Sequence, residues 1–402
     1  MGGRVREDVR VAPADLVPIT WSQALGWRLR RQLLSPPGGY GAVEVAARLC
    51  GVQAQVPSAA DLACAVRTLD PSANPGLVEG LATGRLVRTW TVRGTLHTLP
   101  VDTAARQLAL LAHARTWHSA SWQRTFAPLP VMAALTEQVH DALAAGPLTR
   151  ADLVAAVADR IPHGDLAEQL RSGWSALLKP LAWQGTLCQG PPDGRSVTFA
   201  RPDLLLPSWP GLPDPDVAGP AVVRDYLAAF GPATMRAFDA WLLRGSTRRT
   251  DLRRWFEALA DETVEVDVAG RAALMLADQL DDLLSAPPAD GQVHLLPGFD
   301  QYVLGPGTAD SEIVPPAHRA LVSRPGGWIS PVVLLAGRVA GTWQVVAGEP
   351  QVDAFPGVDL PGPELAAALE RTATLLAGPL LAGPLLAGPL LAGRDRDGTV
   401  SG

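Results

Sequence analysis

The 402-residue sequence predicts an α+β fold: three helical units in tandem, each closed by a short hairpin, then a small β-rich region. Three observations lead there. The punctuation Gly146-Pro147-Leu148-Thr149 recurs 85 positions later as Gly231-Pro232-Ala233-Thr234, each time between amphipathic helical stretches. Short strand-like runs with turn residues follow the third helical stretch of a unit. From about residue 291 to 345 the pattern changes to Val, Leu and Trp runs broken by Gly and Pro.

In chain order, residues 1–20 read as a flexible N-terminus. The first unit, 21–127, has helical patterning at 22–34, 42–50 and 77–83, then strands at 86–92 and 94–99. The second, 128–208, opens with a helix over 131–144 that Gly146-Pro147 stops, and Thr149 caps the next one. A third helix over 166–181 and a hairpin over 185–201, turning at Pro-Pro-Asp-Gly, complete it. The third unit, 215–285, repeats the scheme with a helix over 221–229, a cap at Thr234, an arginine-rich third helix and a strand over 263–268. Three helices and a hairpin make a winged helix, a variant of the helix-turn-helix. The boundaries fall near the prolines at 128–130 and 202–220. Residues 286–372 form the C-terminal β-rich region with a closing helix, and 373–402 an LLAGP-repeat tail.

That tail could be mistaken for a membrane span. Residues 374–393 are uncharged and long enough to cross a bilayer at ~1.5 Å per residue. Pro379, Pro384 and Pro389 argue against a helix, since each costs ~3 kcal/mol in a helix interior. An irregular tail and no membrane partner are expected. The beginning, MGGRVREDVRVAPADLVP, lacks the apolar core of a signal peptide, so a reduced, cytoplasmic setting is expected. Three cysteines without a CxxC and seven scattered histidines give no ligand spacing; neither metal nor cofactor is expected.

Apolar residues make up 47% and charged ones 18%, which excludes a disordered chain. The net charge of −6 argues against a uniformly basic nucleic-acid coat, but it is unevenly spread. Residues 1–125 carry +6 and the remainder −12. Arg85, Arg88, Arg93, Arg106, Arg115 and Arg124 cluster with only Asp102 opposing them, interleaved with Trp90, Trp117 and Trp122. A second cluster, Arg244 through Arg254, holds five arginines against Asp251. Such arginines can contact phosphates without reading sequence; a solvated face with internal ion pairs is the bland alternative.

No GxSxG, Walker loop or HExxH is present, and Asp281-Asp282 sits in an ordinary amphipathic helix pattern. The polar pair with most context is Gln53-Ala54-Gln55, which lies between a helix end and Pro57. In an extended segment residues two apart point to the same side, so two neutral amides could hold one water between them.

The runs RLCGVQAQVPSAADLACAVR, LVEGLATGRLVRTWTVRGTLHTLP, GPATMRAFDAWL, LLPGFDQYVLGP and AGRVAGTWQ together resemble the AlkZ/YcaQ family of winged-helix DNA glycosylases, over roughly residues 20–370. The resemblance implies tandem winged helices with a C-terminal β region. It also implies excision of N7-alkylated purines from double-stranded DNA. The AlkZ-like branch, marked by Gln-x-Gln rather than Gln-x-Asp, unhooks interstrand crosslinks made by bacterial genotoxins, an antibiotic self-resistance. Gln53 and Gln55 occupy both motif positions; Val56 departs from the acidic or polar residue many relatives place next.

The resemblance makes Gln53 and Gln55 the catalytic pair, orienting a water. With a single lysine, Lys179, placed in the second unit, no amine nucleophile and no lyase step are expected. Arg88, Arg93, His97, Arg248, Arg249 and Arg253 are the expected DNA contacts. For His97 the alternative is a half-buried strand histidine bonded to backbone; Trp90, Cys50 and Cys64 read as core. A non-enzymatic winged-helix DNA-binding protein, a regulator or lesion-shielding factor, is the competing function, and a degenerate relative with neither activity a third. Regulators usually dimerise to match half-sites; the absence of heptads favours a monomer.

Overall fold

The computed structural model describes residues 16–70, 76–161 and 163–378. Strand β1 (Val17–Ile19) pairs in parallel with a strand of the third unit, Val17 beside Val266. The expected flexible N-terminus therefore ends earlier than residue 20: Ile19 is buried, and residues 1–15 lie outside the described ones. Thr20 opens helix α1 (Trp21–Arg31) through a reciprocal capping box with Gln23. Helix α2 (Ala42–Arg48) is followed by Cys50 and Gly51, both at positive φ, which turn the chain into β2 (Val52–Gln53). A β-carbon on Gly51 would strain a φ of +107° and stand 3.2 Å from Leu99 Cβ, so glycine is required.

Helix α3 (Pro57–Ala65) has no counterpart in the sequence reading. Pro57 supplies a fixed φ for its first turn. Ser58 to Ala60 and Leu62 to Ala65 are all buried, so the helix carries no polar face to betray its period. Helix α4 (Gly76–Ala82) and strands β3 (Leu86–Trp90) and β4 (Leu96–Pro100) follow where expected. Helices α5 (Val101–Ala114) and α6 (Ala120–Thr125) complete this stretch.

After α7 (Leu129–Ala142) and the short β5 (Leu148–Thr149), the Thr149 hydroxyl caps α8 (Arg150–Val157) by accepting from Asp152 N. The helix expected over 166–181 is two, α9 (Leu166–Arg171) and α10 (Leu178–Trp183). The break falls at Gly173 and Ser175, the latter at φ +55°, and Arg150 donates to the carbonyls of Leu170 and Ser172. Strands β6 (Cys188–Gln189) and β7 (Thr198–Ala200) form the expected hairpin, and α11 (Pro202–Leu205) leaves it. The hairpins of the two stretches join in one sheet, ordered β2-β4-β3-β6-β7-β5.

Helix α12 (Pro215–Phe230) is capped by Asp214, and α13 (Met235–Leu243) by Thr234, whose hydroxyl accepts from Ala237 N. Helix α14 (Arg249–Glu257) buries Leu252, Trp255 and Phe256. Strand β8 (Thr263–Val268) turns back as β9 (Ala272–Leu276), and α15 (Leu280–Leu284) carries Asp281-Asp282.

The C-terminal region starts with β10 (Val293–Leu296), α16 (Gln301–Leu304), α17 (Arg319–Val322) and the β11 (Ser323–Arg324)–β12 (Trp328–Ile329) hairpin. Strands β13 (Val332–Leu335), β14 (Arg338–Val346) and β15 (Glu349–Ala354) extend β10 into an antiparallel sheet ordered β10-β13-β14-β15, which α18 (Gly362–Ala377) covers. Its core takes in Leu25 and Leu29 of α1 and Ala59, Leu62 and Ala65 of α3, so sheet and first unit share one apolar interior. Helix α18 runs through Ala377, correcting an irregular tail from 373; residues 379–402 lie outside the described ones. Among the described residues no helix is long and apolar enough to cross a membrane.

Candidate active site

Strand β2 is an edge strand, and its pleat separates apolar from polar side chains. Val52 and Ala54 point into the core. Gln53, opposite His97 of β4, is buried, and Gln55 is exposed. Ala54 N donates to Leu96 O at 2.8 Å, which holds the segment extended past the last ladder pair. The two glutamines therefore share a side, as expected. Their amides meet directly, however: Gln53 Nε2 donates to Gln55 Oε1 at 2.6 Å instead of flanking a gap. Gln53 Oε1, an acceptor, and Gln55 Nε2, a donor, keep no partner among the described residues.

His97 lies beside this pair but not on the surface. Its Nδ1 is 3.0 Å from the Thr95 carbonyl, which only accepts, so Nδ1 carries the proton and Nε2 is bare. Nε2 is buried without a partner. Burial, and then the nearby Arg93 cation, push its pKa down to about 3, so the ring is neutral at physiological pH. A direct DNA contact by His97 is thus corrected to the backbone-bonded strand histidine, more deeply buried than that alternative supposed.

Arg93 is half-buried and is not an open surface contact. It sits at φ +57° in the turn between β3 and β4, and its Nη1 donates to Leu304 O at 3.0 Å. Nη2 is buried without a partner. Desolvation, and then Arg244, lower its pKa to about 10, which leaves it cationic at neutral pH. Arg88 is also turned inward, its Nε donating to Thr98 Oγ1 across the β3–β4 pair at 3.1 Å. Near it is Asp61 of α3, a residue the sequence reading passed over. Burial raises the Asp61 pKa to about 6, against the opposing pull of Arg88 and a hydrogen bond from Leu77 N at the start of α4. A lone Asp in an apolar helix gave no signal of this.

Arg248, Arg249 and Arg253 are exposed on and just before α14, opposite its buried face. None of the three forms an ion pair among the described residues, whereas Arg254 pairs with Asp216 and Asp251. In the first cluster the bland alternative holds for Arg85, paired with Glu79, and for Arg106, paired with Asp102 and Asp225. Trp90 is core, its ring stacked on Phe199 at 6.0 Å, and Cys50, Cys64 and Cys188 are buried thiols. Among the described residues no three His, Cys, Asp or Glu side chains gather as metal ligands.

A neutral amide pair on an edge strand, flanked by a neutral imidazole and turned-in arginines, suits the orientation of a water beside a substrate already carrying its own charge. The model of the AlkZ-like DNA glycosylase family matches residues 46–378, most of the chain, and the chain belongs to that family. The resemblance carried by Gln-x-Gln and its companion motifs is borne out.

Two comparisons are more particular. A curated interstrand DNA cross-link repair glycosylase of Streptomyces sahachiroi is 43% identical over 342 residues, covering 85% of this chain and 92% of the relative. The solved structure of Streptomyces sahachiroi DNA glycosylase AlkZ aligns with a TM-score of 0.83 at 42% identity, covering 89% of this chain and 98% of that one. The mixed α+β architecture is that of this structure.

Proposed function

We propose that this chain is a monofunctional DNA glycosylase hydrolysing the N-glycosidic bond of N7-alkylated purines, including bulky adducts and interstrand crosslinks, in repair or genotoxin self-resistance. The observation that carries the reading is the bonded Gln53–Gln55 pair, one amide buried and one exposed, in a chain of the DNA glycosylase family. Family membership supports the enzyme over a non-enzymatic DNA-binding protein. The helix and hairpin elements support reading 21–127, 128–208 and 215–285 as three winged helices, and we propose that the chain works as a cytoplasmic monomer.

N7 alkylation puts a positive charge on the purine, so the base leaves without prior protonation. The sugar passes through an oxocarbenium-like state. A positioned water and dipoles aimed at the developing charge suffice, and no strong base is needed. The free Oε1 of Gln53 accepts from that water and Gln55 Nε2 donates to it, once the direct amide bond opens to admit it. Carbonyl dipoles of the pair also face the cationic sugar. Purified protein is expected to leave abasic sites that break only on alkali treatment, with no borohydride-trapped adduct. Strand scission without alkali, or a trapped adduct, contradicts the water mechanism.

Two further outcomes follow. Neither amide titrates, and His97 takes up its proton only near pH 3. Asp61, raised to about 6 by burial, is ionised well above neutrality, so the single-turnover excision rate is expected to be flat between about pH 7.5 and 8.5. A bell-shaped profile centred near neutrality would assign the step to an acid–base pair instead. The exposed arginines act by charge: Arg248→Gln, Arg249→Gln and Arg253→Gln combined should make the slope of log affinity against log salt shallower by about 2.7 if each neutralises one phosphate. Excision at saturating protein should stay near wild type. An unchanged slope removes these residues from the interface.

A further inference from the structure

Three cations meet at the turn between β3 and β4, from stretches far apart in sequence. Arg93 occupies the turn itself. Helix α13 packs on it, and Arg244, the C-cap of that helix, donates from Nη2 to Arg93 O at 3.1 Å. Lys179, the only lysine, reaches the same turn from α10: a β-carbon on Gly94 would stand 3.7 Å from Lys179 Cδ. Arg244 is exposed, and Lys179 and Arg93 are half-buried, with Arg93 Nη2 itself out of contact with solvent.

None of the three forms an ion pair among the described residues, although ten arginine–carboxylate pairs occur elsewhere among them. Arg244 lowers the pKa of both Arg93 and Lys179, after desolvation as the larger cause. Arg93 Nη2 is buried with no acceptor at all. Buried cations are normally paired, because an uncompensated buried charge is strongly destabilising. A cluster that repels itself and lacks an internal counter-charge is built for an external anion. Its location specifies which one: Arg93 lies beside His97, and His97 is the register partner of Gln53.

We propose that Lys179 and Arg244, with Arg93 behind them, form an anion site that seats one phosphodiester of the strand being processed, so placing the glycosidic bond at Gln53 and Gln55. The proposal rests on the DNA glycosylase reading. It gives Lys179 a role as a point charge and not as a nucleophile, and makes Lys179 and Arg244 positioning residues. A free phosphate has the same chemistry as a backbone phosphodiester, so the test separates them.

Lys179→Gln, Arg244→Gln and Lys179→Arg are compared with wild type in the full chain, measuring duplex affinity against salt and single-turnover excision. Each Gln variant is expected to lose about eightfold in affinity at about 0.1 M salt and to flatten the salt slope by about 0.9, one phosphate contact each. Both should also slow excision at saturating protein, and Lys179→Arg should restore affinity and rate. Unchanged slopes in both Gln variants, with wild type still excising, overturn this site and leave the glycosylase reading standing. Absence of excision by wild type overturns that reading instead. Inorganic phosphate should compete with duplex no better than chloride at equal ionic strength. Specific competition that Lys179→Gln abolishes would assign the site to free phosphate and overturn the phosphodiester.

Discussion

Gln53→Ala combined with Gln55→Ala is expected to lower single-turnover excision of an N7-alkylguanine about 10³-fold, with duplex affinity within about twofold of wild type. Removing one preorganised dipole from such a site costs about 10²–10³ in rate, and the two amides act as a unit because they hold the same water, so the losses should not multiply. Gln53 is buried and held in ladder register, whereas Gln55 is exposed at the strand end. Gln53→Ala alone should therefore carry most of the loss. Gln55→Asp keeps an acceptor but adds a titrating group, and the flat pH profile should gain an acidic limb near the ordinary carboxyl range of about 4. Single-turnover rates across pH, with binding measured in parallel, check all three. A double-alanine variant retaining more than about a tenth of the wild-type rate contradicts the assignment.

The largest stability effect is expected at Asp300. Its carboxylate forms a bidentate pair with Arg67, Oδ1 at 2.7 Å from Nη2 and Oδ2 at 2.8 Å from Nη1, both side chains fully buried. Arg67 also donates to Gln32 O and Ala63 O, and Asp300 Oδ1 accepts from Tyr302 N at the start of α16. Asp300→Ala strands a hydrogen-bonded guanidinium in the core, and the expected loss is about 3–5 kcal/mol. The exposed Arg224–Glu262 pair sets the contrast, since solvent screens such a pair and its loss should barely move stability. Urea unfolding of Asp300→Ala and Glu262→Ala side by side measures the difference. A loss below about 1 kcal/mol for Asp300→Ala would show that the pair does not lock the C-terminal region to α3. Because α3 begins two residues after Gln55, excision should fall along with stability.

What was legible in the sequence was what local chemistry writes into it. Thr149 and Thr234 cap helices because a hydroxyl after Gly-Pro has few other uses, and both caps are present. Gln53 and Gln55 share a side because an extended segment allows nothing else. Helix α3 was hidden because it is buried on every face, and the α9–α10 break because Ser175 takes a left-handed conformation only with Arg150 holding the loop. The arginines show the limit most plainly. Arg88, Arg93 and Arg248 are alike in sequence, yet the first two are turned into the protein and the third faces solvent. Only tertiary packing distinguishes them. The LLPGFDQYVLGP stretch was legible as a motif but not as a device: it seats two arginines, the buried Arg67 at Asp300 and the half-buried Arg93 at Leu304 O.

The central claim is that this chain severs the glycosidic bond with a water held by an amide pair. The most direct measurement follows release of free N7-alkylguanine from a defined duplex by purified protein under single-turnover conditions, with the strand run on a denaturing gel before and after alkali. Stoichiometric base release, an intact strand before alkali and cleavage at the lesion after it are expected. Tight duplex binding with no base released would contradict it.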